Sequence, residues 1–177
     1  MFKIQHVVCA LAMAVSVGAN AVSSGTVTFN GELVADTCTI SSDSINKIVQ
    51  LPKIPTQDLN VSGAQAGSRE FQLNVEACPA SITQVAAHFN AIGGSAFDPT
   101  TGNLVNASTS TAPAAAKEVQ VRLYNADGSQ IRVGSTGKFF DVVDEKASMT
   151  YVGGYYATGV TTPGPVTSVA SYTLAYP

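Results

Sequence analysis

The feature that most constrains the fold is a period of two in the apolar residues, repeated in short segments along the chain. Each segment puts every second residue on one face of an extended strand, and no segment shows a convincing helical period. Seven or more short alternating segments predict an all-β sandwich. Six of the apolar rows are Val27/Phe29/Leu33, Phe71/Leu73/Val75, Val85/Ala87/Phe89/Ala91, Val119/Val121/Leu123, Met149/Tyr151 and Tyr172/Leu174/Tyr176, and shorter segments lie at Ile131/Val133 and residues 139–143.

The first alternating segment, GTVTFNGEL at residues 25–33, contains an anomaly. Gly31 occupies an apolar position of the row, between Phe29 and Leu33. A glycine inside a strand indicates close approach by another backbone or a shallow pocket. The segment lies ahead of the first cysteine of the predicted mature chain, so it can pair within its own domain as a first strand or with another molecule.

Composition limits the classes of function. The chain has 177 residues, 45% hydrophobic and 12% charged, with a net charge of −3. This length suggests one domain, and the hydrophobic content is sufficient for a core. There is no basic cluster, which argues against nucleic acid as a partner.

Residues 1–21 have the pattern of a secretory signal peptide. Lys3 supplies the positive start, an apolar run follows over residues 7–17, and Ala19-Asn20-Ala21 fits a small-x-small cleavage site. Cleavage there leaves 8 basic and 12 acidic residues, a charge of −4. The alternative is an uncleaved anchor, for which the apolar run is short.

The cysteines agree with export. Cys9 lies in the signal segment, which leaves Cys38 and Cys78 as an even pair in an oxidising compartment. We interpret them as one disulfide, worth about 4 kcal/mol by the loop-entropy model. A redox pair is the alternative, but it lacks a CxxC motif, and a zinc site has only His88 as a remaining histidine.

The other candidate sites are weak, so we expect neither an enzyme nor a metal or cofactor site. His88 has no placed nucleophile, and it shares the strand phase of Ala86 and Asn90, which predicts a solvent-facing side chain. The carboxylates near residue 144 lack the ligand spacing of a calcium loop. The glycosylation patterns at Asn60 and Asn106 are frequent chance matches.

Turn and loop signals divide the remaining chain. Residues 125–128, Asn-Ala-Asp-Gly, predict a hairpin turn before Ile131 and Val133. Residues 59–68 are predicted to be a loop, residues 93–116 a long loop or a short-strand region, and residues 139–143 a short strand. The glycine pair at 153–154 predicts a bulge.

The last predicted strand runs to the end of the sequence, with Tyr176 penultimate. A sandwich that stops on a strand can leave an edge unpaired, and such an edge templates association with another strand. A strand such as residues 27–33 of another copy is suited to cover it by β-augmentation, of which pilin donor-strand complementation is one example.

At these residues the chain resembles the chaperone–usher fimbrial subunits, close to the type 1 fimbrial major subunit family. The family has a glycine fourteen residues from the C terminus and a penultimate tyrosine, and Gly164 and Tyr176 stand at those positions. The matching segments are GTVTFNGELVADTC (25–38), FQLNVEAC (71–78), VQVRLYNADGSQI (119–131), YYATGVTTPG (155–164) and YTLAYP (172–177).

The resemblance implies an immunoglobulin-like sandwich that lacks its final strand and is completed in trans. Residues 22–34 would be the donor extension and residues 35–177 the sandwich domain. It implies a donor row facing the groove of the next subunit, with Gly31 in the tightest pocket: Gly25, Val27, Phe29, Gly31 and Leu33. It also implies an acceptor and chaperone-binding strand, Gly164, Tyr172, Leu174, Tyr176 and Pro177, and the disulfide Cys38–Cys78.

The resemblance also implies partners and a location. The partners would be other copies of the chain or related pilins, a periplasmic chaperone and an outer-membrane usher. The product would pass through the periplasm to a fimbrium that supports bacterial adhesion. The open alternatives are a minor adapter or tip subunit of the same fold and a secreted β-sandwich binding module.

Overall fold

The computed structural model describes residues 26–31 and 37–177. The chain divides into two compact units, Met1–Leu33 and Val34–Pro177, and each is considered by itself. The predicted signal peptide, Gly25 and Leu33 lie outside the described residues. In the described part of the chain, no helix has the length and apolar character that crossing a membrane requires.

Within residues 37–177, the described part of the second unit, there are nine strands and two short helical turns. The long strands are those that alternate most clearly in the sequence. The elements are β1 (Thr39–Ile40), α1 (Ser42–Ile45), a 3₁₀ helix (Thr56–Leu59), β2 (Gln65–Glu76), β3 (Gln84–Ala91), β4 (Leu104–Val105), β5 (Val119–Asn125), β6 (Gln130–Ile131), β7 (Phe140–Asp141), β8 (Ala147–Ala157) and β9 (Ala170–Ala175).

The strands form two sheets in which all pairs are antiparallel. The larger sheet has the order β1-β2-β8-β5-β4, with β6 also paired to β5, and the smaller has the order β7-β3-β9. The predicted hairpin is confirmed, since Leu123 pairs with Ile131 and Tyr124 with Gln130. The prediction of an all-β fold with two sheets is therefore confirmed.

The main core contains the inward rows of both sheets. Leu73 and Met149 come from the larger sheet and Val85 and Phe89 from the smaller. Tyr151 lies at the centre with no exposed surface, and its ring packs edge-on against Phe89 at 5.1 Å between centroids. Its hydroxyl accepts a hydrogen bond from the Ala87 N–H at 2.9 Å, which satisfies the buried polar end of the ring.

The prediction of a loop over residues 59–68 is partly wrong. The 3₁₀ helix ends at Leu59, and β2 already begins at Gln65. Residues 65–68 are polar or small and show no alternation, so the sequence hides this part of the strand. Pairing decides it, because Gln65 and Ala66 lie opposite Tyr156 and Tyr155 of β8.

The predicted bulge at Gly153–Gly154 lies on the opposite strand. Two residues of β2, Gly67 and Ser68, face the single residue Gly154 between the pairs Ala66–Tyr155 and Arg69–Gly153. Gly67 has a φ of +63°, a left-handed conformation that β-bulges often need and that glycine adopts without steric cost. A Cβ on Gly154 would lie 2.7 Å from Ser68 Oγ, so this glycine makes room for the bulge.

The remaining local predictions agree with the structure, in which the predicted loop and short strand contain only two-residue strands and isolated bridges. Residues 93–116 contain the two-residue strand β4 and the isolated bridges Phe97–Leu104 and Thr111–Ala114. The short strand predicted over residues 139–143 is β7. The disulfide Cys38–Cys78 is formed, with 4.0 Å between the Cα atoms.

Candidate binding groove

The outer edge of β9 has no strand partner among the described residues. On its other side β9 pairs with β3, where Phe89 lies opposite Tyr172 and Ala87 opposite Leu174. The backbone of Phe89 bonds away from β9, to Ser135 C=O at 3.1 Å and Gly134 N–H at 2.7 Å, and Ala87 C=O accepts from Gly137 N–H at 2.9 Å.

These bonds determine which groups of β9 remain open. Opposed residues of an antiparallel pair alternate between those that exchange backbone hydrogen bonds and those that do not. Phe89–Tyr172 and Ala87–Leu174 belong to the second kind, because the β3 members bond elsewhere. Tyr172 and Leu174 therefore turn their backbone N–H and C=O groups toward the open edge.

A groove of about 810 Å³ runs beside this edge. One wall is residues 166–172, which lead into and include the start of β9, and the other wall is residues 45–51, which begin at the last residue of α1. The floor consists mainly of apolar side chains from both sheets. The floor residues are Phe71, Leu73, Phe89, Ile92, Leu104, Val121, Leu123, Gly153 and Tyr155.

Several apolar side chains of the groove are exposed. Ile45 and Ile48 on one wall, Val169 on the other and Ile92 on the floor have between 44% and 79% of their surface accessible. A contiguous exposed apolar surface of this kind indicates a binding site rather than a solvated face. Because an unpaired backbone edge borders it, its geometry suits an extended chain segment.

Two tyrosine hydroxyls tie β9 to the first residues of the domain at one end of the groove. Tyr172 Oη donates to Ser44 C=O at 2.8 Å, and Cys38 N–H donates to Tyr176 Oη at 3.1 Å. Ser44 is fully buried, and its Oγ accepts from Asn74 N–H at 2.8 Å. The strand is thus held to the disulfide region without any backbone pairing to it.

The only charged pair at the groove lies at this end, as far as the described residues go. Lys47 Nζ is 3.7 Å from Asp43 Oδ2, and the pKa of Asp43 is lowered first by the hydrogen bond from the Asn74 amide. Burial raises the pKa of the Tyr172 hydroxyl, and the Asp43 carboxylate raises it further. Tyr172 therefore remains a neutral donor to Ser44 at physiological pH.

The sequence-predicted residues fall into two groups. Val27, Phe29 and Gly31 lie in the first unit, in a segment to which no strand is assigned, and the two side chains are 78% and 91% exposed. Tyr172 and Leu174 lie in β9, and Tyr176 packs on the main core just beyond it. Pro177 is exposed.

Gly164 lies outside β9, in the bend that precedes the groove wall at residues 166–172. Its φ is +153°, and a Cβ there would lie 2.1 Å from the carbonyl oxygen of Ala114. The backbone at residues 114–116 leaves no room for a side chain. The position thus requires glycine because another backbone segment passes against it.

Sequence reasoning did not identify the second wall or most of the floor. Ile45, Ile48, Val49 and Leu51 were visible as apolar points without a period, and this irregularity is the one signal that the sequence carries for them. A wall made of an irregular segment leaves no period to detect. The floor residues look like ordinary core positions, because only the absence of a covering strand distinguishes them.

Comparison with known proteins agrees with this geometry. The family model described as "Fimbrial protein" matches residues 27–177. The chain belongs to the fimbrial protein family. The matched residues include most of the first alternating segment together with the entire groove.

Individual relatives cover nearly all of the chain. It is 38% identical to the F17 fimbrial protein of Escherichia coli, over 99% of both chains. It is 35% identical to the major fimbrial subunit SMF-1 of Stenotrophomonas maltophilia (strain K279a), over 92% of this chain and 98% of that protein. A subunit in the structure of a chaperone–usher pilus superposes with a TM-score of 0.62 at 17% identity, over 90% of this chain and 99% of that one.

These findings identify the chain as a structural subunit of a fimbria with the fold of chaperone–usher pilus subunits. The likeness to the pilus structure shows the fold, and the sequence relatives show the family. Because fimbriae lie on the cell surface, membership of this family places the chain in a surface fimbrium.

Proposed function

We propose that the chain polymerises by donor-strand exchange, with residues 22–34 of one copy inserted into the groove of another. The observation that carries this proposal is the apolar groove bordered by the open backbone edge of β9. Gly25, Val27, Phe29, Gly31 and Leu33 are the inserted row, and Tyr172, Leu174 and Tyr176 belong to the accepting strand. The role is mechanical rather than catalytic.

The dimensions of donor and groove support the proposal. Val27 to Leu33 is six strand steps, about 20 Å at roughly 3.3 Å per residue, and the six residues of β9 offer an accepting edge of about 17 Å. The donor row presents three large apolar side chains and two glycines, which suits an apolar floor of uneven depth. Its polar row, Thr28, Asn30 and Glu32, is left facing solvent.

The energetics favour a long-lived complex. Each large side chain that is fully buried contributes roughly 1.5–3 kcal/mol, and Val27, Phe29 and Leu33 bury together. The inserted strand also supplies partners for the open N–H and C=O groups of Tyr172 and Leu174. Dissociation requires the loss of all these contacts together, which predicts slow release.

Export and assembly factors belong to the same proposal. Residues 1–21 are proposed to direct secretion, so that the Cys38–Cys78 disulfide forms in the periplasm. A periplasmic chaperone is proposed to cover the groove before assembly, with the Pro177 carboxylate bound by its basic residues. At an outer-membrane usher, the donor segment of the next subunit is proposed to replace the chaperone in the groove. The fold of chaperone–usher pilus subunits and the exposed groove support the proposal of these partners.

The test uses the mature chain carrying Gly31→Trp, which we expect to stay monomeric because a bulky side chain overpacks the inserted row. A synthetic peptide of residues 22–34 is added, and the melting temperature is recorded. At about a thousand times its dissociation constant, the peptide is expected to raise the melting temperature by about 10 °C. The matched control is the same peptide carrying Gly31→Trp, which is expected to produce no rise.

The proposal fails if the two peptides raise the melting temperature equally, or if neither peptide changes it. It also fails if the Gly31→Trp chain polymerises as readily as the natural one. A secreted binding module with a complete sandwich then becomes the better interpretation.

A further inference from the structure

Apart from the groove, exposed valines stand at the two ends of the long strands. β2 and β8 run antiparallel, and the 11 residues of β8 place its ends about 33 Å apart. We name these the disulfide end, with Cys38–Cys78 and the turn at residues 143–146, and the loop end, with the turns that carry Val61 and Val160. Val143 is 65% exposed, Val61 60% and Val160 71%.

Hydrogen bonds place these turns at their ends. Cys78 N–H donates to Glu145 C=O at 3.0 Å, which joins the turn at 143–146 to the disulfide. At the other end Gly63 N–H donates to Ala157 C=O at 2.8 Å, and Thr161 N–H donates to Leu59 C=O at 3.3 Å. The loops of Val61 and Val160 therefore lie side by side beyond the last residue of β8.

The turn at the disulfide end has an unusual choice of residues. Its central pair is Asp144 and Glu145, with φ values of +49° and +61°. Aspartate is a favoured residue at the first of these positions, but glycine is favoured at the second, so the glutamate there costs stability. The turn thus combines an unfavourable backbone conformation at Glu145 with the exposed side chain of Val143, and this combination points to a contact made by the turn.

We infer that the disulfide end of one copy docks on the loop end of the next, with Val143 against Val61 and Val160. This inference rests on the proposed donor-strand exchange. All described strand pairs are antiparallel, so an inserted strand antiparallel to β9 runs from the disulfide end of the accepting copy to its loop end. Its Leu33 then leaves the groove at the loop end.

The short connection between donor strand and domain brings the two ends together. Leu33 and Cys38 are five residues apart, so at most about 17 Å separates them. The disulfide of the donating copy must then lie within that distance of the loop end of the accepting copy. A donor strand parallel to β9 would instead bring two disulfide ends together.

The contact offers one opposite-charge pair, between the acidic turn and Lys117. Asp144, Glu145 and Glu76 give the disulfide end an acidic character against Lys146. At the loop end Lys117 is exposed, and its backbone N–H donates to the Thr162 hydroxyl. The exposed carboxylates of Glu118, which accepts from the Thr158 hydroxyl at 2.7 Å, and of Asp58 lie at the same end, so Lys117 is an isolated cation there and not part of a basic surface. The two ion pairs found among the described residues use other charges. Lys117 is therefore available to the acidic turn of a second copy.

The test compares polymers of the full mature chain with polymers of variants at each end. Val143→Asp and Val160→Asp are each expected to speed thermal dissociation of the polymer by about ten-fold, as central apolar contacts of an interface do. Thr150→Asp, on the outer face of β8 away from both ends, is the matched control and is expected to leave the rate unchanged. Lys117→Glu is expected to speed dissociation, and Glu145→Lys in the same chain is expected to restore it.

Peptide binding separates the two proposals. Each variant is also made with Gly31→Trp, and its affinity for the 22–34 peptide is measured, since the peptide carries no disulfide end. Unchanged peptide affinity with faster polymer dissociation supports the end contact. Unchanged peptide affinity with unchanged polymer dissociation overturns it and leaves donor-strand exchange intact. Absence of any peptide binding, with no polymer formed, overturns both.

Discussion

At the scale of single residues, the most consequential groups are tyrosine hydroxyls with assigned partners. Tyr151 joins the two sheets, Tyr172 reaches Ser44 across the end of the groove, and Tyr176 reaches Cys38. Each ring packs on the apolar core while its hydroxyl pairs with a backbone group. Removal of the oxygen alone therefore leaves packing intact and removes only the hydrogen bonds of that hydroxyl, which for Tyr151 include a longer one donated to Lys138 C=O at 3.4 Å.

Tyr151→Phe is expected to lower the free energy of unfolding by about 1–3 kcal/mol, because the buried Ala87 N–H loses its acceptor. The measurement is urea denaturation of the Gly31→Trp monomer. Tyr124→Phe is the matched control: its hydroxyl donates to Gln65 at an exposed position, so the expected change is under about 0.5 kcal/mol. Equal effects of the two changes would contradict the assigned role of Tyr151.

At the scale of elements, the bulge in β2 determines how the two long strands meet. Its extra residue faces Gly154, which has no side chain to obstruct Ser68. The adjacent Gly153 lines the groove floor instead, and a Cβ there would approach only Leu123 Cδ2, at 4.0 Å. The two neighbouring glycines thus have different reasons to be small.

Gly154→Ala is expected to cost about 1–3 kcal/mol of stability through overpacking against Ser68. Gly153→Ala, in the same strand, is expected to change the stability of the peptide-free monomer by less than about 0.5 kcal/mol. Both values are measured by urea denaturation, with one shared slope for the dependence of the unfolding free energy on urea concentration. A Gly154→Ala chain as stable as the Gly153→Ala chain would show that the bulge relaxes without cost.

At the scale of the whole molecule, the disulfide holds one wall of the groove. The loop that it closes contains β1, α1 and the irregular wall at residues 45–51. The backbone bonds that anchor this loop to the larger sheet precede the wall: Ser41 N–H donates to Asn74 C=O at 3.0 Å, and Asn74 N–H donates to Ser44 Oγ at 2.8 Å. Stability and donor binding should therefore fall together when the bond is lost.

Replacement of Cys38 and Cys78 by serine is expected to lower the free energy of unfolding by about 2–5 kcal/mol. The affinity for the 22–34 peptide is expected to fall in the same variant, since the freed wall must be ordered when the strand inserts. Denaturation and peptide titration of the oxidised and variant chains check both effects. Full peptide affinity in the variant would show that the wall is ordered without the disulfide.

The sequence by itself determined the fold class and the cysteine pair. Strand alternation and residue spacing are local properties, and the family resemblance added the idea of a missing strand. Residues 71–76 and 119–125 illustrate this, because their inward rows can be read directly and their partners only confirm them.

Only the tertiary structure decided what depends on pairing between distant segments. It extended β2 back to Gln65, moved the bulge from Gly153–Gly154 to Gly67–Ser68, and made a groove wall of residues 45–51. It also brought Tyr172 to Ser44 and placed exposed valines at opposite ends of β8. None of these leaves a period in the sequence, because each follows from which backbone lies opposite which.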